Sequence, residues 1–279
     1  MKQLLLKFVK LSVLFMVFLF LTSCTVENQL STDFKKHSDS VSVLIVGSSH
    51  LQKVSAVIQK LYPQYSDLSP ELQDTVWKHQ TKFLDSVGDS VILESYYKSI
   101  VEQLKKTNLK IYTDKQVDEF VKQSGEKWIF RVAQIQLEED KQKVDFSKEM
   151  RGEEELYKDM EIEVLSINTW FEVFKSENDT TPFNIVYGQQ TVSDEVKGRF
   201  FETLDGKYEF RYKRTDLTKE DVLKLATSSG KKNAQQIADY IFTKYVRIFY
   251  PESESVYGFN IEGKKFYKPA ENDQFNVIN

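Results

Sequence analysis

Two short stretches of this 279-residue chain hold side chains that could do chemistry. The first is Leu21-Thr22-Ser23-Cys24, which closes a segment with three lysines (Lys2, Lys7, Lys10) and an apolar run from Leu11 to Leu21. A basic start, a short apolar run and small residues before a cleavage point make a secretory signal peptide. Small side chains at Thr22 and Ser23 let a peptidase reach the bond, and the Cys24 thiol is a nucleophile able to take a lipid group. The apolar run is too short for a comfortable bilayer crossing, which needs ~20 residues. The second stretch is Gly47-Ser48-Ser49-His50, after a β-branched run. A phosphate cradle there needs a Gly-rich loop with a lysine, and a serine nucleophile needs a G-x-S-x-G elbow. Neither pattern is complete, so these residues read as a strand-to-helix turn with a serine cap.

The remaining candidates read as structure. Cys24 is the only cysteine, so no disulfide and no Cys/His zinc set is available. His37, His50 and His79 are too widely and irregularly spaced to imply a metal site, and no cofactor is expected. The stretch Glu138–Glu155 holds Glu138-Glu139-Asp140 and Glu153-Glu154-Glu155. It lacks the alternating ligands and the glycine of a calcium loop, so it reads as a solvated loop or hairpin tip. Trp77, Trp128 and Trp170 each sit in an apolar periodic run and favour core packing over a sugar site. No catalytic constellation survives, which predicts a protein that is not an enzyme. The net charge of −4 argues against nucleic acid as a partner. The first 23 residues carry three lysines and no acid, so the remainder is more acidic still, at −7.

The elements that must carry these residues follow from periodicity. Val41–Val46, Leu109–Tyr112, Trp128–Leu137, Glu161–Phe174, Asn184–Tyr187 and Lys207–Tyr212 read as strands. Helices are expected over Leu51–Leu61, from a Ser69-Pro70 start to about Val87, over Ser90–Lys106, and after Thr113 or Asp114. Two more should close the chain, one from Thr218 ending by Gly230 and one over Asn233–Phe249. The fold class is α/β to α+β: a mixed central sheet flanked by helices, with a charged β-hairpin excursion and a C-terminal hairpin. The expected organisation is a signal peptide over 1–23, a flexible tether over 24–40 and a single globular domain over 41–279.

Leu21 at −3, Thr22 and Ser23 before the cut, and Cys24 at +1 resemble the lipobox of bacterial lipoproteins. The resemblance implies that Cys24 is acylated with palmitate-type chains and becomes the mature N-terminus. Thr25 at +2 resembles the outer-membrane sorting pattern, and with no acidic cluster after Cys24 it implies a periplasm-facing protein. The run from Tyr97 to Leu137 also resembles a known N-terminal α/β domain. Its order is helix, Leu109-Lys-Ile-Tyr112 strand, Lys115–Val121 helix and Glu126-Lys-Trp-Ile-Phe-Arg-Val132 strand. That domain is shared by the curli-secretion lipoprotein, the penicillin-binding-protein activator lipoprotein and the translocation protein of the Tol system.

The resulting expectation is a non-enzymatic accessory or docking protein, held to the membrane by its N-terminal lipid. A cell-envelope protein partner would meet Tyr257, Phe259, Phe266 and Tyr267, rings on or near a terminal hairpin expected to be partly exposed; the other reading of these rings is that they cover the sheet. The alternative is an anchored glycan- or peptide-binding protein or hydrolase. Cys24→Ala should leave the precursor unacylated and uncleaved. Fatty-acid labelling of cells measures this, and label that persists in the variant would refute the lipobox assignment.

Overall fold

Hydrophobic periodicity fixes where the elements form, and the computed structural model shows how they assemble. It describes residues 29–149, 155–175, 179 and 181–278; Leu21, Thr22, Ser23 and Cys24 lie outside the described residues. The helices are α1 (29–38), α2 (Ala56–Leu61), α3 (Pro70–Gln80), α4 (Asp89–Leu104), α5 (Val117–Val121) and α6 (Lys219–Phe249). The N-terminal strands are β1 (Val41–Val46), β2 (Gln52–Ser55) and β3 (Lys110–Thr113). Two long strands follow, β4 (Glu126–Glu149) and β5 (Glu155–Phe174). The rest are β6 (Asn184–Ser193), β7 (Glu195–Glu202), β8 (Tyr208–Thr215), β9 (Gly258–Asn260), β10 (Lys265–Tyr267) and β11 (Asn276–Ile278).

Seven strands make one mixed sheet in the order β11-β6-β5-β4-β1-β3, with β2 also paired to β4. The pairs β1–β3, β1–β4 and β2–β4 are parallel, whereas β4–β5, β5–β6 and β6–β11 are antiparallel. This is the α/β to α+β class expected from the sequence. β1 and β2 pair in turn with Glu126–Arg131 and Gln136–Glu139 of the same strand, so β4 templates both. The predicted Leu51–Leu61 helix therefore begins as a strand. The ladder to β4 claims Gln52–Ser55, and helix starts only where Ser55 Oγ accepts the Ile58 N–H at 3.2 Å.

The closing element is one helix of 31 residues rather than two. Gly230, read as a C-cap, lies in its interior at a close approach to α4. A Cβ there would sit 2.4 Å from the Tyr96 carbonyl oxygen and 2.9 Å from the Ser99 Cβ. The glycine serves interhelical packing, which a single sequence cannot distinguish from a helix stop. Tyr96 is fully buried in the same contact and donates to Asn233 Oδ1 at 2.8 Å.

The expected tether is also corrected. Residues 29–38 are helical, and Phe34 is 1% exposed against Phe242 (4.9 Å between ring centres), Phe259 (5.0 Å) and Tyr245 (5.3 Å). His37 Nε2 meets Glu126 Oε2 at 2.9 Å, joining the end of α1 to the first residue of β4. Only Leu30 and Phe34 mark the apolar stripe of this polar segment, and helices so short take their stability from packing. Phe34→Ala should therefore cost about 3–5 kcal/mol, as buried phenylalanines do. A urea midpoint unchanged by the substitution would return the segment to a tether.

Candidate functional site

The C-terminal ends of β1 and β3 open into a cleft of about 320 Å³, lined among others by Gly47, Ser48, Ser49, Tyr97 and Lys115. Ligands of open α/β sheets bind at such strand ends. The Ser48 and Tyr97 side chains here are occupied otherwise. The Tyr97 hydroxyl accepts the Ser48 N–H at 2.6 Å, and burial pushes that phenol up to about 12. Ser48 Oγ donates to the His50 carbonyl at 3.0 Å and accepts the His50 N–H at 3.2 Å, closing its own turn. The turn joins two strands and not a strand to a helix, and the serine cap belongs to Ser55. No hydrogen bond links a serine hydroxyl here to the ring of His50. Among the described residues, no group of three or more His, Cys, Asp or Glu could hold a metal ion.

Of the acid-rich stretch, Glu138–Glu149 is strand and not loop, one side of the charged β-hairpin expected from the sequence, and residues 150–154 lie outside the described residues. β4 and β5 stay paired from Ile129↔Phe174 out to Glu149↔Glu155, with one bulge between Val132 and Gln134. Lys141 meets Glu161 at 3.4 Å, and Lys143 meets Asp159 at 3.4 Å, so opposite charges bridge the ladder. Glu138 accepts from Asn168 at 2.8 Å, and Asp140 pairs with Lys60 at 2.7 Å. Buried Glu139 accepts the Lys82, Phe83 and Leu84 N–H groups at 2.7, 2.9 and 3.3 Å. Each acid of the Glu138-Glu139-Asp140 run thus has a structural partner. Of the tryptophans, Trp128 is core and Trp77 is partly buried against it. Trp170 instead lies half-buried beside Tyr187, 5.1 Å between ring centres.

Of the terminal rings, Phe259 covers the core, while Tyr257, Phe266 and Tyr267 are half-buried. Phe259 is 3% exposed, packed on Phe34 and Phe242. Phe266 lies 6.3 Å from Phe242 and 6.0 Å from Tyr257, both contacts between ring centres. The Tyr267 hydroxyl donates to Asp239 Oδ2 at 2.7 Å. Asp239, on α6, also accepts the Phe259 N–H and the Gln235 amide, both at 2.8 Å. One buried carboxylate therefore latches the β9–β10 hairpin over the helix. Tyr250, past the end of α6, is exposed.

An arm projects from this body. Beyond Glu139 the β4–β5 ladder leaves the core, and the β7–β8 hairpin lies along it. Phe210 packs on Phe146 at 5.1 Å, and the Lys148 ammonium sits 4.7 Å from the Tyr208 ring centre. Buried Asp194 fixes the base: its carboxylate accepts Arg214 Nη2 at 2.6 Å, the Leu217 N–H at 2.7 Å and the Glu163 N–H at 3.0 Å. Tyr212 stands 56% exposed on this hairpin. The alternation of Tyr208, Phe210 and Tyr212 with charged residues marks β8 in the sequence. β7 was missed, because Glu195–Glu202 mixes charge, glycine and phenylalanine without a clean period.

No protein-family model matches the chain, and no curated protein matches it. A solved structure of a neuraminyllactose-binding hemagglutinin homolog from Helicobacter pylori is similar at a TM-score of 0.30 and 8% identity. The similarity covers 77% of this chain and 91% of that one.

The latch makes stability pH-dependent. Burial raises the Asp239 carboxyl from 3.8 to about 6, outweighing the bonds from Tyr267, Phe259 and Gln235. The native state then holds this proton more tightly than the unfolded chain does. Its contribution is full below pH 3.8 and is lost as pH rises through 6, on the order of 3 kcal/mol. Asp239→Asn should flatten that slope. Denaturant midpoints measured between pH 4 and 7 check this, and an unchanged slope in the variant would assign it to other groups.

Proposed function

We propose that the chain is a lipid-anchored, non-enzymatic docking protein of the cell envelope. In this reading Cys24 holds it to the outer membrane, facing the periplasm, and the β7–β8 arm meets a protein partner. The observation that carries the reading is the distance between the two ends. Residues 25–28 separate Cys24 from the start of α1, so the link spans at most ~18 Å of chain. The His37–Glu126 contact ties α1 to the start of β4. Phe146, under the arm, lies 20 residues further along that strand, roughly 60 Å at the rise of a β-strand. Strand length of that order supports a docking face away from the anchored end.

A second reading, an anchored binder of neutral glycans, is favoured by one cleft. About 640 Å³ opens between β6, α6 and β11, lined mainly by amides (Gln189, Gln190, Gln236, Gln274, Asn276) together with Tyr187, Lys232 and Glu271. Amides donate and accept equally, as hydroxyl groups require. A photo-crosslinking residue at position 212 should capture one envelope protein in cells, and the same residue at exposed Lys122 should not. No product from position 212 refutes docking through the arm, and a glycan product from position 189 would favour the second reading.

A further inference from the structure

The outward face of the β7–β8 hairpin carries cations in two rungs. Register places Lys197 opposite Lys213 and Arg199 opposite Arg211. Directly opposed like charges destabilise a strand pair, with opposite residues about 5 Å apart and same-face neighbours along each strand about 7 Å apart. Compensation within the hairpin is partial. Glu195 pairs with Lys197 at 2.6 Å and Glu209 with Arg211 at 2.8 Å, each on the protein surface. Among the described residues, Arg199 and Lys213 join no ion pair. The result is a local positive patch on a chain of net charge −4.

Phe201 organises the two arginines. The guanidinium of Arg199 lies 4.3 Å from its ring centre and that of Arg211 lies 5.2 Å away. The ring holds two planar forks side by side, and such forks match carboxylates in a bidentate fashion; Arg211 already gives Nε and Nη2 to surface Glu209 at 3.0 and 2.8 Å, and an incoming carboxylate would compete for it. The other face of the hairpin is already engaged by Phe146 and Lys148. Tyr212, paired with Gly198 and stacked on Phe210, belongs to that other face, so the cationic face is built from Lys197, Arg199, Phe201, Arg211 and Lys213.

We infer that this face docks an acidic segment of a partner protein, its carboxylates seated on Arg199 and Arg211 and flanked by Lys197 and Lys213. The inference rests on the docking reading above and names the chemistry of its partner. An acidic protein is favoured over the anchoring membrane because the arm stands far along β4 from α1. Complementary charge speeds encounter and sets specificity, and salt screens it.

The test uses the lipidated full chain in nonionic micelles and a fluorescent peptide of alternating Glu and Ser. Its anisotropy should rise with protein, a Gln-for-Glu peptide should show no change, and added salt should weaken binding. Arg199→Glu with Arg211→Glu should weaken binding at least tenfold, and Lys122→Glu should change it less than twofold. Should the reversal disturb folding, Arg199→Gln with Arg211→Gln serves instead, with about a threefold loss expected. Equal binding by parent and variant overturns the inference. So does binding of glycerophosphoglycerol, a soluble lipid headgroup, without binding of the acidic peptide. Crosslinks from position 212 that survive the reversal would also overturn it while leaving docking intact. Peptide binding without crosslinks in cells would refute docking and leave the anion site standing.

Discussion

The antiparallel ladder between β4 and β5 is the constraint on which the rest of the structure depends. Its 24- and 20-residue strands are paired along nearly their whole length. One half is a central pair of the sheet, buried by helices on the side of Ile135, Leu137, Leu165 and Ile167. The other half leaves the core and meets water. A hydrogen-bonded ladder resists bending and slipping, since a one-residue slip would send every side chain to the wrong face. The arm therefore inherits its orientation from the core.

Buried carboxylates act as the joints of this frame. Among the described residues, three acids are buried: Glu139, Asp194 and Asp239. Glu139 gathers backbone N–H groups of the segment after α3, Asp194 fixes the chain entering and leaving the arm, and Asp239 latches the terminal hairpin. In each case a carboxylate satisfies backbone donors that no ladder or helix would satisfy. Removing one leaves two or more polar donors of its joint without an acceptor, a cost that falls on the joint and not on the whole core.

This division bears on function. At the strand ends where a ligand would be sought, Ser48, the His50 backbone and Tyr97 bond to one another. The arm does the reverse. It exposes Tyr212 and opposed like charges that its own hairpin only partly offsets. The proposed docking rests on that exposed, only partly offset charge of the arm.

Much of the fold was legible in the sequence. Local periodicity marked β1, α4, β3 and the inner parts of β4 and β5, and Ser69-Pro70 marked the start of α3. Such signals are local, because the spacing of apolar residues reports which face of an element is buried. The sequence by itself also determined the absence of a disulfide and the mixed sheet with its closing helical region. Tertiary structure alone decided the rest. Whether Gly230 stops a helix or lets α4 approach depends on a neighbour 130 residues away in the chain, at Ile100 and the turn around it. Whether Glu138–Glu149 is loop or strand depends on the partner strand that pairs its backbone and offsets its charges. Whether Phe34 belongs to a tether or a core depends on Phe242 and Phe259, more than 200 residues later. Whether the terminal rings face out or in depends on one carboxylate in α6. In each case the deciding partner is distant in sequence, and local composition carries no record of it.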